Sequence, residues 1–128
     1  MKKALVVLPT HNEGGTIEKL IEDILKQNQN LPNWDIEILI NDSDSTDDTA
    51  KIVQGLCKKF PEKVYLLKTK KEGLGKAYHQ AFTYAIENIH PFVIFQMDGD
   101  FSHNPENIPA FLNEIAKGSD FVIGARYI

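Results

Sequence analysis

The segment ALVVLPTHNEGGTIEKLIEDILKQNQNLPNWDIEILI, residues 4–40, decides the fold. It starts with the uninterrupted apolar run ALVVL (residues 4–8), which predicts a buried strand. Its middle carries apolar residues at the spacing of one helix face, namely Ile17, Leu20, Ile21, Ile24 and Leu25. Its end, IEILI (residues 36–40), predicts a second strand. Strand, helix and strand in this order indicate a βαβ unit, in which helices cover a parallel sheet.

The same alternation of strands and helices runs through the rest of the chain. Three more strands are predicted at residues 64–67, 92–95 and 121–123. The helices between them are marked by three apolar stripes: Val53, Leu56, Cys57 and Phe60; Tyr78, Ala81, Phe82, Ala85, Ile86 and Ile89; and Ile108, Phe111, Leu112, Ile115 and Ala116. Residues 28–33 are predicted to form a simple loop. We therefore predict one α/β domain over residues 1–128, a Rossmann-like, mostly parallel sheet with helices on both faces.

The composition narrows the classes of protein to which the chain can belong. With 42% hydrophobic and 25% charged residues, the chain is typical of a globular domain. The formal net charge of −4 disfavours a general nucleic-acid binder, which normally carries a basic excess. Cys57 is the sole cysteine, so neither an intrachain disulfide nor a cysteine metal cluster is expected. The apolar run at residues 4–8 is too short for a membrane span, and we predict a cytoplasmic protein.

Polar loops follow the first four predicted strands and are the places where function is expected. In open parallel sheets, ligands bind at the carboxyl ends of the strands, near the point where the strand order reverses. The loops at residues 9–13, 41–49, 68–75 and 96–103 occupy these positions, and most are rich in Asp, Asn or Gly. We therefore expect the functional residues to lie in these four loops.

The most specific of these loops carries Asp98-Gly99-Asp100 directly after the fourth strand. Two carboxylates one residue apart at a strand end can bind one hard cation, and their oxygens suit Mg²⁺ or Mn²⁺. The alternative is a turn that caps the following helix. That helix already has a cap and a first-turn proline in Asn104 and Pro105, so the two aspartates are surplus to capping.

The loops after the first and second strands predict a nucleoside site. An acidic residue after the second strand, here Asp42, hydrogen-bonds a ribose or base in dinucleotide folds. The loop at residues 9–13 is short and polar, and it is placed to hold a nucleoside edge. Capping is the alternative for both loops: Asp42 or its neighbours for the second helix, and Thr10 or Asn12 for the first.

Other nucleotide-binding motifs are not satisfied. Gly73-Leu74-Gly75 begins like a dinucleotide fingerprint, but the third glycine would fall at Tyr78, and the motif does not follow the first strand. Gly75-Lys76 is followed by Ala77 rather than Ser or Thr, which excludes a P-loop. A response regulator would need a phospho-acceptor aspartate after the third strand, where lysines stand instead.

A run of lysines adds a further feature: Lys58, Lys59, Lys63, Lys68, Lys70, Lys71 and Lys76. It is interpreted either as a solvated surface or as a basic rim that attracts phosphates or anionic lipid heads.

Five motifs in order now point to a known family: PTHNE (residues 9–13), DSDSTDDT (42–49), KEGLGKAY (71–78), QMDGDFSHNP (96–105) and GARY (124–127). Together they resemble the inverting, family-two glycosyltransferases, and most closely the dolichol-phosphate mannosyltransferases and their bacterial polyprenol-phosphate relatives. The resemblance covers residues 6–127. It implies the glycosyltransferase A-type nucleotide-sugar-binding fold.

The resemblance implies a role for seven residues. Pro9, His11, Glu13 and Asp42 would bind the nucleoside; Asp98 would bind the donor diphosphate; Asp98 and Asp100 would hold Mg²⁺ or Mn²⁺; and Arg126 would meet the acceptor phosphate. The catalytic set is then Asp98, Asp100 and Arg126. The implied reaction transfers mannose from GDP-mannose to a polyprenyl or dolichyl phosphate with inversion. This acceptor implies peripheral contact with the cytoplasmic face of a membrane.

The sequence also departs from the pattern of the family. His11 stands where tyrosine is common, Ser43 where a second aspartate is usual, and Asp48 where glycine is usual. Catalytic domains of the family continue well beyond the GARY motif, so we expect these residues to be the N-terminal, donor-binding part. Two alternatives follow: a fragment that binds nucleotide sugar without turnover, and a related transferase that uses a UDP-sugar and another acceptor.

Overall fold

A computed structural model describes residues 2–70, 73–97 and 104–116 of the 128-residue chain. The elements in chain order are β1 (Lys2–Thr10), α1 (Ile17–Lys26), a 3₁₀ turn (Gln27–Asn30), β2 (Trp34–Ser43), α2 (Thr49–Lys59), β3 (Val64–Thr69), α3 (Leu74–Asn88), β4 (Val93–Gln96), a second 3₁₀ turn (Pro105–Asn107) and α4 (Ile108–Ala116). Strands and helices alternate as the sequence predicts, and the α/β fold class is confirmed.

The four strands form one parallel sheet in the order β3-β2-β1-β4. The chain first moves outward from β1 to β2 and β3, and then returns to place β4 on the other side of β1. The strand order therefore reverses between β1 and β4, where α/β sheets open a crevice at the carboxyl ends of their strands.

Helices cover both faces of the sheet. On one face, Ala4, Val6 and Leu8 of β1 join the apolar residues of α1, α2 and α4 in the larger core cluster. On the other face, Leu5 and Val7 pack with α3. This division explains why β1 reads as an unbroken apolar run, because each of its two faces is buried against helices.

The helices form where local sequence favours them. Four residues of α1 are fully buried (Ile17, Leu20, Ile21 and Ile24), and truncating any of them to alanine would cost about 2–5 kcal/mol. Asn104 accepts the N–H of Glu106 at 2.9 Å ahead of Pro105, as predicted for the cap before α4. Gly73 precedes α3 with φ +103°, a conformation that favours glycine, so this glycine serves the entry into the helix.

Some predicted boundaries were wrong. The strands β1, β2 and β3 are longer than their apolar runs, because polar residues at their ends also pair in the sheet. Residues 28–33 are not a simple loop, since a 3₁₀ turn occupies Gln27–Asn30. Asn28 explains the turn: its side chain donates to the carbonyl of Trp34 at 2.8 Å and accepts the N–H of Ile36 at 2.8 Å. The strand predicted at residues 121–123 lies outside the described residues.

Glu37 places a charged side chain within the apolar half of the sheet beneath α3. Only 3% of its surface is exposed, and burial raises its pKa above the usual value of 4.5. Tyr65 donates its hydroxyl to Glu37 at 2.8 Å, and Lys3 Nζ lies 3.4 Å from the carboxylate. Lys3 also donates to the carbonyl of Ile89 at 3.0 Å, which ties the end of α3 to β1.

Candidate functional site

Two loops lie side by side at the carboxyl ends of β1 and β2. The first loop (residues 11–16) connects β1 to α1, and the second loop (residues 44–48) connects β2 to α2. Thr10 and Asp42 are register partners, so the two loops leave the sheet at the same level. Four residues predicted to bind nucleoside, Pro9, His11, Glu13 and Asp42, belong to this corner of the molecule.

Asp42 ends up as a buried acceptor of three hydrogen bonds, with 3% of its surface exposed. Thr10 Oγ1 donates to Oδ1 at 2.7 Å, and Ser45 Oγ donates to the same oxygen at 2.6 Å. The backbone N–H of Ser45 donates to Oδ2 at 3.2 Å. Asp42 therefore joins the end of β1 to the second loop, and it does not cap α2.

Pro9 is half-buried within β1, where it is the register partner of Asn41 in β2. The ladder between β1 and β4 ends at the pair Val7 and Gln96, and the N–H of Met97 donates to the carbonyl of Val7 at 3.0 Å. Pro9 lies two residues after Val7, so its backbone polar groups also face the β4 side of β1. They lie beyond the last pair of the ladder between β1 and β4. The missing N–H of proline thus breaks no strand pairing, and β1 runs on to the site.

His11 links the first loop to the end of β2. Its Nδ1 lies 2.6 Å from the carbonyl oxygen of Ser43. Because a carbonyl oxygen only accepts, Nδ1 carries the proton and donates. The side-chain amide nitrogen of Asn12 lies 3.4 Å from Nε2. The histidine at this position is therefore turned toward the neighbouring strand end.

Asn12 has φ +56° and makes more contacts between the loops than any predicted residue. Its Oδ1 accepts from the backbone N–H of Thr46 at 2.8 Å, from that of Asp47 at 3.2 Å and from Thr46 Oγ1 at 3.3 Å. Its own N–H donates to Ser45 Oγ at 2.9 Å. Asn12 does not cap α1, whose N-cap is Thr16, so the interpretation of Asn12 as a helix cap is wrong.

Asp47 and Gly14 form a second connection between the loops. Asp47 Oδ1 accepts from the N–H of Thr49 at 2.9 Å and from the Thr49 hydroxyl, and Oδ2 accepts from the N–H of Gly14 at 3.2 Å. The hydrogen bonds from Thr49 lower the pKa of Asp47. A Cβ on Gly14 would lie 3.1 Å from Asp47 Oδ2, so a side chain at this position would displace the Asp47 carboxylate by a few tenths of an ångström.

Glu13 shapes the entry into α1 through its backbone. Its carbonyl accepts from the N–H groups of Thr16 and Ile17, both at 3.0 Å. Its side chain is half-buried. Thr16 occupies the N-cap position, so neither Thr10 nor Asn12 caps the helix.

The remaining predicted site residues, Asp98, Asp100 and Arg126, lie outside the described residues. Asp98 follows Met97 directly in the sequence. The backbone N–H of Met97 is hydrogen-bonded to the carbonyl of Val7 in β1, beside the point where the strand order reverses. Within residues 2–70, 73–97 and 104–116, no group of three or more His, Cys, Asp or Glu side chains could hold a metal ion. The metal site at Asp98 and Asp100 accordingly stays a prediction.

The fold divides the lysine run between the two ends of the sheet. Lys58 and Lys59 end α2 at the amino end of β3, where Lys59 lies 3.4 Å from Glu22 and Lys63 pairs with Asp35. Three exposed lysines stand at the opposite end, beside the site: Lys68, Lys70 and Lys76. Lys71 lies outside the described residues, and a basic rim at this end of the sheet stays a prediction.

Comparison with known proteins fixes the family. The sequence profile described as Glycosyl transferase family 2 matches residues 5–128. This chain belongs to glycosyl transferase family 2. Membership agrees with a parallel sheet whose strand order reverses between β1 and β4 and whose polar loops follow β1 and β2.

Curated relatives and solved structures of this family are similar over most of the chain. It is 39% identical to the dolichol-phosphate mannosyltransferase of Pyrococcus furiosus over 98% of its residues, and 30% identical to the polyprenol monophosphomannose synthase of Mycolicibacterium smegmatis over 99%. It spans 34% and 46% of the lengths of these two proteins.

Among solved structures, the mannosyltransferase PcManGT of Pyrobaculum calidifontis, in complex with GDP-Man and Mn²⁺, matches 76% of this chain. The TM-score is 0.64, the sequence identity is 26%, and the match covers 27% of the PcManGT chain. The Staphylococcus aureus TarS structure with UDP-GlcNAc matches 91% of this chain with a TM-score of 0.64, 26% identity and 32% coverage of TarS. The glycosyltransferase A-type fold expected from the motifs is confirmed.

Sequence reasoning missed the residues that join the two loops: Thr10, Asn12, Ser45, Asp47 and the close approach at Gly14. One signal was available, because asparagine tolerates the left-handed conformation and binds backbone groups in tight turns.

Among residues 2–70, 73–97 and 104–116, no helix is long and apolar enough to cross a bilayer.

Proposed function

We propose that the corner formed by the first and second loops binds the nucleoside of a sugar donor. We further propose that the whole protein transfers a mannosyl group from GDP-mannose to a polyprenyl or dolichyl phosphate with inversion. The position of these joined loops beside the reversal between β1 and β4 is the observation that carries the donor site. The similarity to the two mannosyl-transferring relatives supports the sugar and the acceptor.

In this proposal the donor lies across the ends of β1, β2 and β4. Pro9, His11, Glu13 and Asp42 bind the nucleoside, and Asp98 and Asp100 hold Mg²⁺ or Mn²⁺ against the diphosphate. The two carboxylates fit such an ion, because carboxylate oxygens are the ligands that hard divalent cations prefer. The bound ion would neutralise charge on the departing diphosphate. PcManGT, solved with GDP-Man and Mn²⁺, supports this arrangement.

The acceptor half of the proposal needs no strong side-chain base. A phosphate monoester has a second pKa of ~6, so it is ionised near neutral pH and can attack directly. Arg126 would meet that phosphate. Lys68, Lys70 and Lys76 are exposed beside the site, which supports peripheral contact with an anionic membrane surface at the cytoplasmic face.

A UDP-sugar with another acceptor is the second candidate function. It is favoured by the similarity to TarS in complex with UDP-GlcNAc, which covers more of this chain than the match to PcManGT does. A fragment that binds nucleotide sugar without turnover is compatible with both candidates, because the chain spans less than half of its curated relatives.

A thermal-shift panel tests the donor site. We expect GDP with Mn²⁺ to raise the Tm of the 128-residue chain more than UDP does, and more than GDP without metal. At about 100-fold excess over Kd, the ligand adds about 2.7 kcal/mol, or roughly 10 °C in Tm. Asp100→Asn should abolish the metal-dependent part of the shift.

Glu87→Gln is the matched control for Asp100→Asn, since it removes one negative charge from an exposed position near the end of α3. Its metal-dependent shift should equal that of the wild type. An unchanged metal effect in Asp100→Asn contradicts the metal site, and a larger shift with UDP supports the second candidate. Release of nucleotide when GDP-mannose is mixed with a short polyprenyl phosphate would exclude the fragment without turnover.

A further inference from the structure

Asn12 combines a left-handed backbone with hydrogen bonds to the opposite loop. Its φ of +56° lies in a region that few residues other than glycine adopt, although asparagine tolerates it. Residues other than glycine in this region are found disproportionately at functional sites. The conformation of the exposed Asn12 therefore calls for a reason in the loops themselves.

The contacts supply that reason. Every hydrogen bond of the Asn12 Oδ1 atom goes to the second loop, at Thr46 and Asp47, and the Asn12 N–H goes to Ser45. Ser45 in turn donates to Asp42, the residue at the centre of the nucleoside corner. A continuous chain of hydrogen bonds thus runs from Asn12 through Ser45 to Asp42.

We propose that Asn12 is a positioning residue that holds the second loop in the conformation that binds the nucleoside. The proposal rests on the proposed function of the corner. A loop that adopts the binding conformation for only a fraction of the time binds its ligand more weakly by that fraction. Asn12 keeps this fraction high before the donor arrives.

The left-handed backbone of Asn12 contributes to this positioning role. In this conformation the short side chain of Asn12 reaches two successive backbone N–H groups of the opposite loop. Glycine would tolerate the backbone but offers no acceptor, whereas aspartate offers both the conformation and the acceptor. These two substitutions separate the side-chain oxygen from the backbone angle.

Binding of GDP with Mn²⁺, measured by calorimetry, tests the proposal. Asn12→Gly should raise Kd about tenfold, which corresponds to the loss of one or two hydrogen bonds that preorganise the loop. Asn12→Asp should stay within about threefold of the wild type, because its carboxylate still accepts from Thr46 and Asp47. Glu62→Gly is the matched control, since Glu62 is exposed at φ +65° between α2 and β3, and its Kd should not change.

Hydrogen exchange with and without GDP gives a second readout, because a purely structural role would not let the nucleotide restore protection to the second loop. In Asn12→Gly the amides of Thr46 and Asp47 should exchange faster, while those of β1 and β2 stay protected, and saturating GDP should restore the protection. If the variant does not fold, Ser45→Ala decides, because it breaks the same chain at its middle link, removing the acceptor of the Asn12 N–H and the donor to Asp42 Oδ1, and should raise Kd in the same way.

Two failures remain distinguishable. A wild-type chain that binds neither GDP nor UDP refutes the proposed function of the corner. A wild-type chain that binds GDP, with Asn12→Gly binding it equally well, overturns the role of Asn12 and leaves the site in place.

Discussion

Asp42 shows how a single side chain can be predicted in its position and missed in its contacts. The sequence predicts a nucleoside-reading acid at the end of the second strand, and the structure places Asp42 there. Its two oxygens are already engaged by Thr10 and Ser45, so the carboxylate orders the corner before any ligand binds. Its direct contact with a nucleoside stays a prediction.

Asp42→Ala should lower the free energy of unfolding by about 2 kcal/mol. The substitution leaves the buried Thr10 hydroxyl and the partly buried Ser45 N–H without their acceptor, and an unsatisfied buried group costs about 1–3 kcal/mol. Urea denaturation measures the loss. Asp48→Ala is the matched control, because Asp48 is exposed and makes no side-chain cap bond, so the change should stay within about 0.5 kcal/mol. Equal losses in the two variants would contradict the account of Asp42.

At the scale of elements, Asn41 fixes how α3 lies on the sheet. The side chain is fully buried at the end of β2, where its amide donates to the carbonyl of Ala77 at 2.5 Å. Its Oδ1 accepts from Thr69 Oγ1 of β3 at 2.9 Å. One side chain thus joins two strands to the first turns of α3, close to its N-cap Gly73.

Asn41→Asp should destabilise the fold by at least about 2 kcal/mol at neutral pH. The substitution is nearly isosteric, but it places a buried carboxylate against the carbonyl oxygen of Ala77. Protonation restores a donor, so the loss should shrink as the pH falls. Chemical denaturation across a pH series measures both effects, with the exposed Asn33→Asp as the control. A variant as stable as the wild type at neutral pH would show that Asn41 does not hold α3.

At the scale of the whole molecule, the sheet has two distinct ends. The two loops meet at the carboxyl ends of the strands, whereas the Glu37 network lies toward their amino ends. Glu37 and Asp42 lie five residues apart on β2, or about 16 Å along the strand. The Glu37 network with Tyr65 and Lys3 ties strands and the end of α3 together, away from the loops. Stability and ligand binding should therefore respond to different substitutions.

Glu37→Gln should change the pH dependence of stability and leave nucleotide binding unchanged. Burial raises the pKa of Glu37 above 4.5, so the folded state binds this proton more tightly than the unfolded chain does. The stabilisation is complete below pH 4.5 and is lost as the pH rises through the folded-state pKa. Glutamine does not ionise, so the free energy of unfolding of wild type relative to Glu37→Gln should fall over this window.

Urea denaturation at several pH values, with GDP titrations at neutral pH, measures both quantities. Glu87→Gln, which alters an exposed charge on α3, serves as the control. A pH-independent difference between wild type and Glu37→Gln would contradict the role of burial. A changed Kd for GDP would contradict the separation of the two ends.

The sequence by itself determined the elements of this protein and the ends at which its function would lie. Apolar runs and helical stripes depend on residues close together in the chain, so they predicted four described strands and the four α-helices between and after them. The five ordered motifs gave the family for the same reason, since each motif is a short local segment.

Tertiary structure decided what distant residues do to one another. The strand order, with β4 beside β1, sets where the crevice opens, and no local pattern encodes it. The parallel register brings Thr10 beside Asp42 and Asn12 beside residues more than 30 positions away, which turned two apparent helix caps into connections between loops. The same topology split one run of lysines between opposite ends of the sheet, because β3 crosses the sheet between Lys63 and Lys68.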